Sequence, residues 1–154
     1  MRKTVLLIVT LAFTGVIWAQ SKTTSAFTLN HLALSVKNVD TSAKFYEEVF
    51  GLQEITNRTE IEGIRWFSLG GEKELHLISI LKKNVRTNKA VHFALTSANF
   101  DAFVTTLSTM NINFSNWPGT AGKINIRADG IKQMFLQDPD GYWIEVNSVG
   151  QDKE

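Results

Sequence analysis

Four side chains that can bind a metal ion occur at matching places in the two halves of this 154-residue chain. His31 and His92 each lie in the first alternating segment of a half, and His76 lies in the closing segment of the first half. Glu145 takes the corresponding place in the second half. Imidazole nitrogen and carboxylate oxygen suit Zn, Ni, Fe, Co or Mn, and the absence of cysteine excludes thiolate sites. The set therefore predicts a site for one divalent metal ion.

The strands that carry these residues must present them on one face. Residues two apart share a face of a strand, which places the four candidate ligands together on the polar face of their segments. A carboxylate such as Glu145 is costly to bury unless a positive ion compensates it, which again favours a metal. The opposite faces and two helix residues form the predicted core: Leu32, Leu34, Phe45, Leu75, Leu77, Phe93, Leu95, Phe103, Ile144 and Val146.

Each half of the chain has the pattern of a βαβββ module. Strands are predicted over residues 28–36, 52–59, 64–69 and 74–81, and again over 91–96, 112–117, 131–136 and 142–149. One such module is too small to bury a core alone. We therefore expect a single α+β domain over residues 27–149, made of two modules at about 27–82 and 89–149.

The helix of each module has predicted end signals. Asp40 is the expected N-cap of the first helix, which Gly51 ends, and Asn99 or Asp101 is the expected N-cap of the second. The glycine-rich, polar segment 118–130 is predicted to be a surface loop over one end of the second module.

The first twenty residues have the pattern of a secretory signal peptide. A basic start, an apolar run over 4–18 and a small-residue exit at Ala19 are its three parts. The run has about 15 residues, fewer than the roughly 20 that span a membrane. We expect cleavage after Ala19 or one residue later, and a secreted or periplasmic protein with no membrane attachment after cleavage.

Composition excludes two other classes of protein. A chain with 44% hydrophobic residues and 2 prolines is not a disordered one. A balance of 16 Lys and Arg against 15 Asp and Glu does not favour a nucleic-acid binder that neutralises phosphates. Because an exported chain without cysteine has no disulfide bonds, its stability must come from the core or from a metal held by nitrogen and oxygen ligands.

Several motifs resemble the vicinal oxygen chelate superfamily, which includes glyoxalase I, extradiol dioxygenases and the bleomycin and fosfomycin resistance proteins. Residues 29–36 (LNHLALSV), 42–46 (SAKFY) and 50–52 (FGL) resemble its opening, and 135–145 (FLQDPDGYWIE) resemble its closing hairpin in the glyoxalase I form. The resemblance implies that the two sheets curl into a cup around one metal ion. Carried over position by position, the implied ligands are His31, His76, His92 and Glu145.

The resemblance implies a glyoxalase-like metalloenzyme of the lyase or isomerase type, similar to lactoylglutathione lyase, and the signal-peptide pattern indicates that it is exported. Its small substrate would carry vicinal oxygens and react through a metal-stabilised enolate. Glu145 is the only carboxylate in the set and is therefore the predicted catalytic base. Because chains of this superfamily commonly pair, a homodimer is expected, with each cup built either within one chain or between two.

The sequence departs from glyoxalase I at the second ligand position. His76 stands where glyoxalase I has a glutamate, although Glu74 shares its face and a slip in strand register would restore a carboxylate. The predicted export is a second departure, because glutathione adducts belong to the cytosol. A fosfomycin-type transferase meets the same difficulty, since its thiol cofactor is also cytosolic.

Two other functions stay open. An Fe(II) extradiol-type dioxygenase could use His31, His92 and Glu145, although His76 would then block one face of the metal. A metal-free binding protein of the bleomycin-resistance type would hold a small molecule between two chains, but the four intact ligands argue against it.

Three residues are candidates for binding the substrate. Trp143 shares the face of Glu145, and Arg65 and Arg127 could hold an anionic group. The remaining aromatic and sulfur side chains of these strands, Trp66, Phe67, Trp117 and Met134, are expected to be packing residues.

Overall fold

The computed structural model describes residues 27–81 and 85–150, so the predicted signal peptide lies outside the described residues. The first module contains β1 (His31–Ser35), α1 (Val39–Phe50), β2 (Glu54–Ile55), β3 (Ile64–Gly70) and β4 (Lys73–Ile78). The second contains β5 (His92–Thr96), α2 (Phe100–Thr109), β6 (Phe114–Ser115), β7 (Asn125–Ile126), β8 (Lys132–Gln137) and β9 (Trp143–Asn147). No helix in the described parts of the chain has the length and apolar character needed to cross a bilayer.

The two modules form two separate sheets with matching strand orders. The first sheet runs β1-β4-β3-β2 and the second runs β5-β9-β8-β6, with β7 paired to β8. In both sheets the first strand is parallel to its neighbour and the other pairings are antiparallel. The predicted α+β class and the two βαβββ modules are therefore confirmed. Within one chain, however, the two sheets do not join into a closed cup.

The strand register confirms that the two halves are equivalent. Ala33 pairs with His76 in the first sheet, and Ala94 pairs with Glu145 in the second. His76 and not Glu74 is therefore the counterpart of Glu145, and the register slip considered above does not occur.

The two helices and the inner faces of both sheets share one core. Leu34, Leu75 and Leu77 of the first sheet and Ile144 and Val146 of the second are buried in it, as predicted. The other five predicted core residues are only partly buried against the same cluster, three of them on the edge strands β1 and β5: Leu32, Phe45, Phe93, Leu95 and Phe103. Because the apolar face of each sheet packs against the helices, the candidate ligands lie on the opposite, outer faces.

Contacts between the modules involve α1 and the closing hairpin. The ring of Phe50 packs on Phe103 of α2, with centroids 5.5 Å apart. The hydroxyl of Tyr46 donates to the buried carboxylate of Asp138 at 2.9 Å, and burial raises the pKa of both groups. Tyr142 contributes a third contact, because its hydroxyl donates to the carbonyl of Ser35.

Several predicted element ends were wrong for reasons of local hydrogen bonding. Asn38, not Asp40, is the N-cap of α1, because its side-chain oxygen accepts a hydrogen bond from the main-chain N–H of Thr41. The strand predicted over 52–59 is cut to two residues, since Asn57 folds the backbone into a turn by binding the carbonyls of Ile61 and Ile64.

The second module shows the same kind of correction. Asn99 is the N-cap of α2, which decides between the two residues predicted. The strand predicted over 112–117 is also shortened to two residues. The side-chain oxygen of Asn116 accepts hydrogen bonds from the main-chain N–H groups of Gly119 and Thr120, which form a turn there. The segment 118–130, which was predicted to be a loop, contains the short strand β7. The side-chain oxygen of Asn125 in this strand accepts a hydrogen bond from the main-chain N–H of Trp117.

Candidate metal centre

The first half-site consists of His31 and His76 with the side chains that hold them, Trp66, Glu74 and Arg58. His31 and His76 stack with ring centroids 4.4 Å apart, and the other face of His76 stacks on Trp66 at 4.0 Å. Trp66 is the register partner of His76 on β3. The ring of His76 is therefore held between two aromatic planes on the outer face of the sheet.

Glu74 links this stack to a cation. One oxygen of Glu74 lies 2.8 Å from Nε2 of His76, and the other accepts a hydrogen bond of 2.7 Å from Arg58. The Arg58 guanidinium also lies 4.6 Å from the centre of the Trp66 ring. The hydrogen bonds from Arg58 and then His76 hold the pKa of Glu74 below its usual range, so that this carboxylate is an acceptor only.

The second half-site consists of His92 and Glu145 with Lys89 and Asn147. Nε2 of His92 lies 3.3 Å from Oε2 of Glu145, a separation at which two donors can share one ion. Nδ1 of His92 lies 2.8 Å from the main-chain carbonyl of Lys89. The amide of Asn147 donates to the other oxygen of Glu145 at 3.0 Å.

Aromatic rings surround the second half-site. Phe135 and Trp117 contact the His92 ring edge-on, with centroids 5.4 and 6.1 Å away. The ammonium of Lys89 lies over Trp143 at 4.6 Å and over Phe135 at 5.4 Å, and burial lowers its pKa. Trp143 also lines a cavity of about 380 Å³ on this face, together with Phe135 and the polar residues Ser115 and Gln137.

All three histidines share the hydrogen-bonding pattern of metal ligands. Such a histidine donates one ring N–H to an oxygen acceptor, which leaves the other nitrogen free to bind the ion. His76 has the carboxylate of Glu74, His92 has the carbonyl of Lys89, and His31 has the side-chain oxygen of Asn30 at 2.8 Å. With Glu145, the residues present fit a divalent ion that prefers nitrogen and oxygen donors.

The two half-sites do not meet within one chain. Among residues 27–81 and 85–150, no group of three or more histidine, aspartate or glutamate side chains lies close enough to hold an ion together. Each half-site therefore supplies two of the four predicted ligands, on the outer face of its own sheet.

The structure places the three predicted substrate-binding residues differently. Trp143 pairs with His92 in the sheet and lies beside the second half-site, as its shared face with Glu145 indicated. Arg65 lies on the helix-facing side of the first sheet, the face opposite the candidate ligands, where three carboxylates bind it: Asp40, Glu47 and Glu54.

Arg127 directly follows β7, in the turn that leads to β8. It pairs with Asp129 at 2.6 Å, and no other side chain of the described residues pairs with it.

Sequence reasoning missed the residues that hold the histidines. Trp66 and Trp117 were expected to be core or hairpin packing residues, whereas both also contact a candidate ligand. Phe67 and Met134 are core residues, as expected. Trp66 could have been found from the pairing of β3 with β4. The side chains of Arg58 and Lys89 come from irregular segments, and nothing in their local pattern indicates these contacts.

Comparison with known proteins agrees with this architecture. Residues 28–146 match the family described as the Glyoxalase/Bleomycin resistance protein/Dioxygenase superfamily. Among solved structures, a lactoylglutathione lyase from Agrobacterium tumefaciens has a TM-score of 0.62 at 20% identity, covering 86% of this chain and 100% of the other. A structure described as oxidase ChaP-H2 has a TM-score of 0.66 at 18% identity, covering 82% of this chain and 97% of the other. These likenesses show the fold.

Relatives were also found by sequence. The uncharacterized protein YwbC of Bacillus subtilis is 28% identical over 76% of this chain and 94% of its own length. The metallothiol transferase FosB of Shouchella clausii is 29% identical over 78% of this chain and 79% of its own. A lactoylglutathione lyase of Schizosaccharomyces pombe is 27% identical over 84% of this chain and 50% of its own. With the family match covering most of its length, the chain belongs to the glyoxalase, bleomycin resistance protein and dioxygenase superfamily.

Proposed function

We propose that this protein is a metal-dependent enzyme of the glyoxalase type, which acts on a small substrate with two adjacent oxygens. The observation that carries the proposal is the hydrogen bonding of its three histidines, each of which has one ring nitrogen held by an oxygen acceptor. The second ring nitrogen of His92 faces the candidate ligand Glu145 at 3.3 Å. The resemblance to a metallothiol transferase and to a lactoylglutathione lyase supports the same class.

The complete site is proposed to lie between two copies of the chain. His31 and His76 of one copy would meet His92 and Glu145 of the other. The support is the open edge of each sheet: β1 pairs only with β4 and β5 only with β9 within the described residues. Such edges present unpaired backbone groups and are prone to pair with another strand. Pairing β1 of one copy with β5 of the other would also cover Leu29 and Val91, which are 65% and 66% exposed.

A divalent ion held by these four residues would act as a Lewis acid toward the substrate oxygens. The protein's own contribution is proton transfer by Glu145, which is 9% exposed and shielded from bulk water. Asn147 holds one oxygen of Glu145 in place, and the hydroxyl of Thr96 donates to the side-chain oxygen of Asn147. The carboxylate is therefore oriented before the substrate arrives.

Trp143 and the neighbouring cavity are proposed to receive the rest of the substrate. The cavity is lined by Phe135 and by uncharged polar groups, and an aromatic wall of this kind binds a small, largely apolar molecule. Export to the periplasm or the medium is part of the proposal and is supported by the three-part pattern of residues 1–20.

Mixing two damaged chains tests where the site lies. His76→Ala and Glu145→Ala chains should each bind no metal alone, because each damages every site of its own dimer. Co-expressed, half of the dimers are mixed and carry one intact site, so that about one quarter of all sites should bind metal. Elemental analysis of the purified mixture measures this. No recovery, or a monomeric mass for the metal-loaded protein, would contradict a site between chains.

Metal analysis of the native protein separates the alternative functions. One zinc or nickel ion per chain supports the glyoxalase type, and iron would favour an extradiol-type dioxygenase. Protein that takes up no metal would instead indicate a binding protein of the bleomycin-resistance type.

A further inference from the structure

The first half-site contains a carboxylate that the proposed function does not use. Glu74 lies on the outer face of the sheet, as the direct register partner of His31, and its side chain is 13% exposed. Its counterpart in the second half is Trp143, the register partner of His92. Glu74 therefore has no equivalent in the other half of the molecule, and the pseudo-symmetry of the fold does not account for it.

We propose that Glu74 is a positioning residue that decides which nitrogen of His76 binds the metal ion. An ionised carboxylate can only accept a hydrogen bond, so the contact of 2.8 Å places the proton of His76 on Nε2. The unprotonated nitrogen is then Nδ1, and it is the only ring nitrogen of His76 that can bind an ion. The proposal rests on the proposed function for the identity of His76 as a ligand.

Arg58 completes the arrangement by fixing Glu74. It binds the Glu74 oxygen that His76 does not use, at 2.7 Å, and it lies over the ring of Trp66. Trp66 in turn stacks on His76. These four side chains form a closed ring of contacts in which the carboxylate cannot turn away from Nε2 without losing Arg58. Arg58 itself is 64% exposed and touches no candidate ligand, so its effect passes through Glu74 and Trp66.

The tautomer of His76 tests the proposal in the metal-free, full-length protein. Long-range ¹H–¹⁵N correlation spectra show which ring nitrogen carries the proton. We expect it on Nε2 in the wild type and a mixture of tautomers in Glu74→Ala. Glu74→Gln should also lose the preference for Nε2, because its single amide oxygen cannot accept from both Arg58 and His76. A wild-type proton on Nδ1 would overturn the proposal. This wild-type measurement needs no variant, so it remains decisive even where Glu74→Ala does not fold.

Zinc affinity, measured by competition with a chromophoric chelator, is the second test. Glu74→Ala should bind Zn²⁺ about 10–100-fold more weakly, as expected when the partner of a ligating histidine is lost. Glu74→Gln should recover only part of the loss, because its one amide oxygen is shared between Arg58 and His76. Glu54→Ala is the matched control, because it removes a similar arginine–carboxylate pair from the other face of the sheet. Unchanged affinity in Glu74→Ala would overturn the role of Glu74. Wild-type protein that binds no zinc would instead overturn the proposed function, while the tautomer still tests Glu74.

Discussion

In the first half-site the side chain of Glu74 holds a ring nitrogen of His76, whereas in the second half-site the main-chain carbonyl of Lys89 holds a ring nitrogen of His92. The supports around the rings differ in the same way. His76 is stacked between two flat rings, while His92 is contacted edge-on by Phe135 and Trp117. Two modules with the same topology thus orient equivalent ligands by different means.

The two modules share the positions of their candidate ligands but differ in the groups that hydrogen-bond to those ligands. The strand register brings a histidine of the first strand and a ligand of the closing strand to the same place in both halves. The hydrogen-bond partner is free to come from any segment that reaches that place. A main-chain hydrogen-bond acceptor remains when its residue is substituted, whereas a side-chain acceptor is lost. A single substitution can therefore change the hydrogen bond of the ligand in the first half-site more easily than in the second.

Removing a histidine ligand from either half should have the largest effect. His31→Ala and His92→Ala each delete a nitrogen donor of the shared site, so both should reduce zinc affinity by more than the 10–100-fold typical of partner residues. Equilibrium dialysis with Zn²⁺ measures the loss. If His92→Ala lost zinc and His31→Ala kept it, the first half-site would not belong to the metal centre.

Glu145→Gln separates binding from proton transfer within the second half-site. The amide keeps an oxygen donor and should retain part of the metal, but it cannot accept a proton. We expect the exchange of carbon-bound hydrogens of hydroxyacetone with D₂O, a probe with adjacent oxygens, to slow by about 10²–10⁴-fold. Proton NMR follows the exchange. A metal-loaded Glu145→Gln protein with an unchanged exchange rate would leave Glu145 as a ligand only.

Lys89→Met sharpens the contrast between main-chain and side-chain support. The carbonyl that binds His92 remains, so zinc affinity should fall by less than about 10-fold, and by less than in Glu74→Ala. The lost ammonium contacts, to Ser115 and the carbonyl of Asn116, should lower the melting temperature instead. Chelator competition and thermal unfolding measure the two effects. A loss of affinity equal to that of Glu74→Ala would show that the Lys89 side chain also positions His92.

Tyr46→Phe should leave both half-sites unchanged while weakening the contact between the modules. The buried carboxylate of Asp138 loses its hydroxyl donor but keeps the amides of Asp140 and Tyr142. We expect a loss of about 1–3 kcal/mol in the free energy of unfolding, measured by urea denaturation. Zinc affinity of the folded protein should equal that of the wild type, because Tyr46 faces the helix side of the sheets. A parallel loss of affinity would indicate that this contact also sets the geometry of the metal centre.

The alternating pattern of the sequence was sufficient to predict the two modules, much of the core and the residues on the outer face of each sheet. Alternation with a period of two separates Leu75 and Leu77 from His76 in any strand, whatever surrounds it. The matching order of the halves then made Glu145 the counterpart of His76, which the register confirms. The sequence did not indicate the three carboxylate partners of Arg65, because they lie on α1 and β2 and meet it only through packing.

What the sequence determined by itself is local: which residues alternate and which side chains have the chemistry of ligands. Only the tertiary structure decided that Glu74 reaches Nε2 of His76, that Lys89 offers its carbonyl to His92, and that the two half-sites lie on separate sheets. These features depend on strand pairing and on the packing of segments far apart in the chain. A hydrogen bond of 2.8 Å requires a precision of placement that residue type and spacing do not encode.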